Sequence, residues 1–273
     1  MREILKRWIY SAAGVVSIVL ISISILFIFI AWSSHRMCFL SPTNISAIND
    51  ILIGLATNLL GIVVTVSFVQ YFLDRQNEEF ERKEEIAKIK RYDKYMQTLI
   101  SRYIHFYMAL TTRITDRNDI DINAAFDHKF KFSDLADLYK PSLYISGGVL
   151  DPTIVVFFTA EIKLREYMLR MFENIDFKYN QELYDILMSF VIESEENDMR
   201  RPVLENMKVI SGQKKMTDEV AAMISDETYE WLLLYQRGEL TSNIMLPYVC
   251  LYYLIQNEMK LIKEYKNYMN NII

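Results

Sequence analysis

The stretch ILIGLATNLLGIVVTVSFVQYFL at residues 51–73, followed at once by DRQNEEFERKEE at 74–85, decides the fold. The first part carries no charged side chain, and at about 1.5 Å per residue it reaches roughly 34 Å as a helix, enough to cross a hydrocarbon core of about 30 Å. The second part reads as the same helix continuing into water. Glu78 and Arg82, Glu79 and Lys83, and Glu84 and Lys88 stand four residues apart with the acid first, the favourable order, and no Gly or Pro follows until well beyond Met108. Apolar positions such as Ile86, Ile89, Tyr92, Met96, Leu99, Ile100, Tyr103 and Tyr107 recur at helical intervals. A membrane span running rigidly into a stalk over 74–116 is the expectation.

Upstream, residues 8–32 are equally free of charge, and apolar side chains cover every face between small serines. Trp8, Tyr10 and Trp32 sit where interfacial aromatic rings are favoured. Arg2, Lys6 and Arg7 also suit a signal peptide, but the apolar run far exceeds the 7 to 15 residues or so of such a segment. Two spans, about 8–32 and 51–73, therefore make an N-terminal hairpin over 1–73. Arg36 is the only Lys or Arg between them, whereas basic residues precede the first and crowd after the second, so both termini are expected in the cytoplasm. Cys38 and Cys250 then lie on opposite sides of the membrane and cannot pair within one chain.

Composition agrees. The 273 residues are 52% hydrophobic and 24% charged, a mixture that excludes a purely soluble enzyme once the charges are seen to begin after the spans. Seven Gly and five Pro exclude collagen-like and low-complexity chains, and two Cys exclude a disulfide scaffold. A net charge of -5 lacks the basic footprint of a nucleic-acid binder, so no direct nucleic-acid binding is expected.

In the second span Gly54, Asn58, Gly61 and Thr65 follow one another at spacings of four, three and four and share a helical face. Small residues allow close backbone approach, and a buried Asn seeks an interhelical hydrogen bond. Ala13, Gly14 and Ser17 offer a matching seam in the first span. These residues either hold the hairpin together or dimerise it, or, with Gln70, line a pore that several protomers would have to build, since two helices enclose no water-filled path. They are the membrane-helix packing or pore candidates.

Past the stalk the chain reads as an all-helical domain over 117–273. A loop dense in Asp and Asn fills 115–132, Ser133 caps a short helix ended by Pro141, and Asp151-Pro152 starts a helix whose apolar face runs to Ile175. Further helices are expected over 181–199, over 217–238 after a break at Ser211-Gly212, and from Thr241 to the end with a kink at Pro247, while Pro202 opens a short helix or a turn. The fold class is thus all-α.

Chemistry-bearing patterns are sparse. His35, His105 and His128 lack ligand spacing, Gly147-Gly148 lacks the phosphate-loop pattern, and two Cys make no metal cluster. Glu193, Glu195, Glu196 and Asp198 read as a solvated helix end, and Gln213-Lys214-Lys215 as a surface turn. The 18 Tyr and 14 Met suit an adaptable core or a partner groove. No catalytic residue, cofactor or metal is expected, and the chain does not read as an enzyme.

The segment NLLGIVVTVSFVQYFLDRQNEE at 58–79 resembles the hairpin ending of small bacterial two-span proteins. In overall plan the chain resembles the two-transmembrane effectors of bacterial anti-phage defence, in particular the effector encoded with a retron reverse transcriptase. That resemblance implies an inner-membrane protein held inactive, by an inhibitory protein or ribonucleoprotein, until infection is sensed. It then compromises the membrane and arrests or kills the cell. Lipid bilayer and further copies of the chain are the implied partners. A membrane-anchored scaffold or interaction protein is the alternative, and a tethered enzyme the third reading.

Overall fold

The computed structural model describes residues 12–33, 42–142 and 151–272. Trp8, Tyr10, His35, Arg36, Cys38 and Gly147-Gly148, named above, lie outside them. The chain divides into two compact units, Met1–Lys83 and Glu84–Ile273. Among the described residues it is all-α apart from a two-residue ladder and an isolated bridge between Pro141 and Pro152.

In the first unit α1 spans Ala12–Ser33, and α2 begins at Pro42 and runs without interruption to Leu110. The segment 42–50, which lies between the two expected spans, is therefore helical; a proline is tolerated in a first turn, and no Gly occurs in 43–50. Both helices are long and apolar enough to cross a membrane. Their apolar side chains face outward: Phe29 is 60% exposed and Val64 68%. That separates them from the core helix of a soluble domain, whose apolar face is covered.

What these helices do bury follows a heptad. In α1 the buried positions are Gly14, Ser17, Ser24 and Ala31, three and then seven residues apart. In α2 they are Ala56 and Val63, with Leu52, Leu59 and Val66 half-buried between and beside them. This alternation of three and four is the spacing of a helix–helix seam.

The second unit is built around the C-terminal part of α2. Ile89, Met96, Ile100 and Tyr103 have no exposed surface, so the periodic residues of the expected stalk belong to the core of the helical domain. That domain starts at Glu84 rather than at residue 117, and α2 stops at Leu110 rather than 116. Around it lie α3 (Thr153–Asn174), α4 (Gln181–Glu196), the short α5 (Arg200–Glu205), α6 (Met216–Ser225), α7 (Trp231–Gln236) and α8 (Leu246–Ile272). The Tyr103 ring meets Phe157 of α3 at 5.2 Å and Phe190 of α4 at 6.2 Å.

Several elements depart from expectation for local reasons. The predicted helix over 217–238 is two helices, because the Asp226 carboxylate accepts from the Thr228 backbone N–H at 3.0 Å and from its hydroxyl at 2.6 Å, an Asx turn that stops α6. Ser211-Gly212 breaks the chain into a hairpin of β1 (Ile210–Ser211) and β2 (Lys214–Lys215), with Gly212 at φ +65° as its two-residue loop requires. Helix α8 starts at Leu246, so Pro247 falls in its first turn, where it forces no kink. The 115–132 loop contains short 3-10 turns and is tied down by the buried Arg117. Its guanidinium donates to the carbonyls of Thr112, Asp137 and Pro141 and to the Thr153 hydroxyl.

Two carboxylates fasten α2 within this unit. Asp93 accepts from the buried Tyr265 hydroxyl of α8 at 2.7 Å and from Gln97 at 2.9 Å. Glu85 accepts from the Asn180 amide at 2.7 Å and from the Tyr179 backbone N–H. Tyr265→Phe removes a hydrogen bond to a charged, buried acceptor and should cost about 1.5–3 kcal/mol. Urea unfolding of the purified protein, read by circular dichroism, measures it.

Candidate functional site

The expected packing residues of the apolar part of α2 are all exposed: Gly54, Asn58, Gly61 and Thr65. They lie about 200° around the helix from the covered positions Ala56 and Val63, at roughly 100° per residue. A Cβ placed on Gly54 or Gly61 would meet nothing within 4 Å. In the structure this face is exposed, and the positions α2 covers in this stretch are its aliphatic heptad positions. Gly14 and Ser17 of α1 are buried as expected. Thr65 donates its hydroxyl to the Gly61 carbonyl at 3.0 Å, while the Asn58 side-chain amide has no hydrogen-bond partner among the described residues. The arrangement is a stripe of small and polar groups on an otherwise apolar exposed helix.

A second polar constellation lies inside the helical unit. Glu161 of α3, Ser194 of α4 and Glu258 of α8 have no exposed surface, and Arg200 of α5 is 8% exposed. Arg200 donates from Nε to Glu161 Oε2 at 3.1 Å and again from Nη2, and Nη2 also reaches the Ser194 hydroxyl at 2.8 Å. Ser194 donates to the other Glu161 oxygen. The Tyr103 hydroxyl donates to Glu258 Oε2 at 2.7 Å, and Glu258 Oε1 is buried without a partner.

Burial, reinforced by the neighbouring Glu161 carboxylate, holds the Glu258 carboxyl well above its ordinary range. Burial and the Glu258 carboxylate push the Tyr103 phenol up as well. For Arg200 burial works against the charge, but Glu161 more than offsets it and the guanidinium is raised. The Glu161 carboxylate and the Arg200 guanidinium pair directly in the interior. Removing either partner of a buried pair leaves an uncompensated charge, whereas the intact pair contributes little net stability. Because Glu161, Ser194 and Glu258 are closed to solvent, the cluster has no access to a substrate; it fixes how α2, α3, α4, α5 and α8 fit together.

Sequence reasoning did not single out Glu161, Arg200 or Glu258. The signal was present: Glu161 interrupts the apolar stripe of Phe157, Leu164 and Met168, and Glu258 that of Leu254, Ile255 and Ile262. The acidic cluster at the end of α4 is only partly a solvated face, since Glu195 pairs with Arg165, Asp198 with Arg200, and Glu193 accepts from Asn257 at 2.8 Å. His105 is a half-buried helix residue against Phe106. Among the described residues no group of His, Cys, Asp and Glu could hold a metal ion. Cys250 is buried, and burial pushes its thiol up.

No protein-family model matches the chain. No curated protein and no solved structure is significantly similar to it.

Glu258 gives a pH signature. A carboxyl whose folded pKa lies above its unfolded value of about 4.3 is accommodated fully below that value, and stability falls as pH rises from there through the folded pKa. Glu258→Gln should leave stability near its parental value at pH 4 and raise it increasingly toward pH 8, as thermal unfolding across pH would record. Arg200→Met should instead cost about 3–5 kcal/mol at neutral pH by stranding Glu161, and the double variant Glu161→Leu/Arg200→Met should recover most of that loss in denaturant titrations.

Proposed function

We propose that the chain is an inner-membrane effector of bacterial anti-phage defence. In this reading α1 and the apolar part of α2 cross the bilayer as a hairpin joined along their heptad seams, with both termini and the helical unit in the cytoplasm. When the helical unit is triggered or released from an inhibitory protein or ribonucleoprotein, the hairpins of several copies permeabilise the membrane, and growth arrest or death follows.

The observation that carries this reading is the exposed Gly54, Asn58, Gly61 and Thr65 stripe, with its unpartnered amide. A polar side chain facing lipid is costly, and the cheapest relief is a partner on another helix, typically worth about 0.5–2 kcal/mol per hydrogen bond. A hairpin that only anchors needs no such outward stripe. Because α2 is helical both in the apolar segment and in the domain core, a rearrangement around Tyr103 and Asp93 acts on the same helix that carries Asn58. An effector of this kind is bistable: a few kcal/mol between two packings suffices to switch it.

Membrane potential and dye entry in bacteria after controlled expression test the proposal, alongside Asn58→Leu and a fragment comprising residues 74–273. The full chain should depolarise cells, at once or on phage infection, and neither variant should. Intact membranes in all cultures, under infection as well, would overturn it. Full function after both spans are exchanged for an unrelated two-span hairpin would establish a scaffold instead.

A further inference from the structure

The helical unit contains a cleft of about 450 Å³ between the end of α2, the 125–130 segment and the middle of α8. Its walls are aromatic. Tyr107 and Phe130 are buried core residues whose rings meet edge to face at 6.0 Å, and the His128 ring lies nearly parallel to Phe130, with 9° between their planes. Its charge is one-sided: Lys129, Lys260 and Lys263 line it and no carboxylate does. The groove between α4 and α8 is lined by Glu182, Asp185 and Glu264, and the cleft beside α7 by Asp226, Glu227 and Glu230. Three lysines around one aromatic hollow stand out in a chain of net charge -5.

The lysines are held loosely. Lys263 Nζ lies 3.6 Å from Asp127 Oδ1 and Lys260 Nζ 3.9 Å from Glu264 Oε1, and all four side chains are at least 44% exposed. Such pairs contribute about 0–1 kcal/mol, so a multiply charged anion displaces them easily. The histidine, in contrast, is set. Thr111 donates its one hydroxyl proton to the Tyr107 carbonyl at 2.9 Å, so His128 Nε2, 3.1 Å from that hydroxyl oxygen, must be the donor between them. This bond fixes the ring plane that stacks on Phe130.

From this geometry we infer that the cleft binds a mononucleotide, its flat base against the half-buried His128 ring, which the buried Phe130 and Tyr107 back, and its phosphates among Lys129, Lys260 and Lys263. The volume lies in the range of small-molecule sites, lysine serves as a point-charge phosphate ligand, and aromatic faces stack any base without reading its edge. The inference rests on the Glu84–Ile273 unit alone and is independent of what the apolar helices do.

Fluorescent N-methylanthraniloyl derivatives of ATP and UTP, titrated against the full chain in detergent micelles, test it, with unlabelled nucleotides, adenosine and pyrophosphate as competitors. At least one nucleotide should bind saturably. Its affinity should fall about tenfold or more in Lys260→Glu and in Lys263→Glu, the loss of one good charge contact, yet stay within about twofold in Lys214→Glu, which makes the same charge change on the β-hairpin. Pyrophosphate and adenosine should each compete at least about tenfold more weakly than the nucleotide. Thermal unfolding of every variant checks that it is folded. His128→Leu supplies a neutral test of the wall and should also weaken binding. No saturable binding of either nucleotide, equal weakening by Lys214→Glu, or pyrophosphate competing as well as the nucleotide would each overturn the assignment.

Discussion

A buried guanidinium facing two buried carboxyl groups is the constraint on which the helical unit depends. Glu161, Arg200 and Glu258 come from three different helices, and Ser194 and Tyr103 from two more, so the hydrogen bonds among them tie five helices to one another. Apolar packing alone tolerates sliding; a charged network in a low-dielectric interior does not, because a displaced member is left unpaired. The surrounding Tyr, Phe and Met side chains fill the space that this network defines. Burial of Glu258 raises its proton affinity.

Helix α2 meets two different requirements along one unbroken length. Up to Lys83 most of its apolar side chains face outward and its covered positions follow a narrow heptad seam, and from Glu84 one face of apolar side chains, Ile89, Met96, Ile100 and Tyr103 among them, is buried. The same residue types are therefore exposed in one unit and buried in the other. For the exposed part, the small and polar stripe through Asn58 is the feature a hydrocarbon surroundings would penalise most, which is why self-association is central to the proposed membrane activity.

Much of the architecture was legible in the sequence. Charge-free runs, one of them ended by Asp74, and the four-residue Glu–Lys and Glu–Arg spacing after it point to helix, and Pro152 marks a helix start that the structure places at the next residue. Local chemistry that competes with helix was harder to see. Asp226 and Thr228 stop α6 by a side-chain hydrogen bond that periodicity does not register, and the burial of the stalk was not legible because a stripe of Ile, Met and Tyr reads alike whether it awaits a partner or is already surrounded.

The residues of the candidate site divide along the same line. That Gly54, Asn58, Gly61 and Thr65 share a face follows from 3.6 residues per turn, and the sequence by itself determined it. Which way that face points depends on which of two competing stripes the chain covers, and only the tertiary structure decided that it is the aliphatic one at Leu52, Ala56, Leu59 and Val63. The pairing of Glu161 with Arg200 and the meeting of Phe130, His128 and Lys263 join residues dozens to more than a hundred positions apart. Helical periodicity carries information over a few turns. Contacts between helices depend on how whole faces fit, so they exist only once the chain has folded.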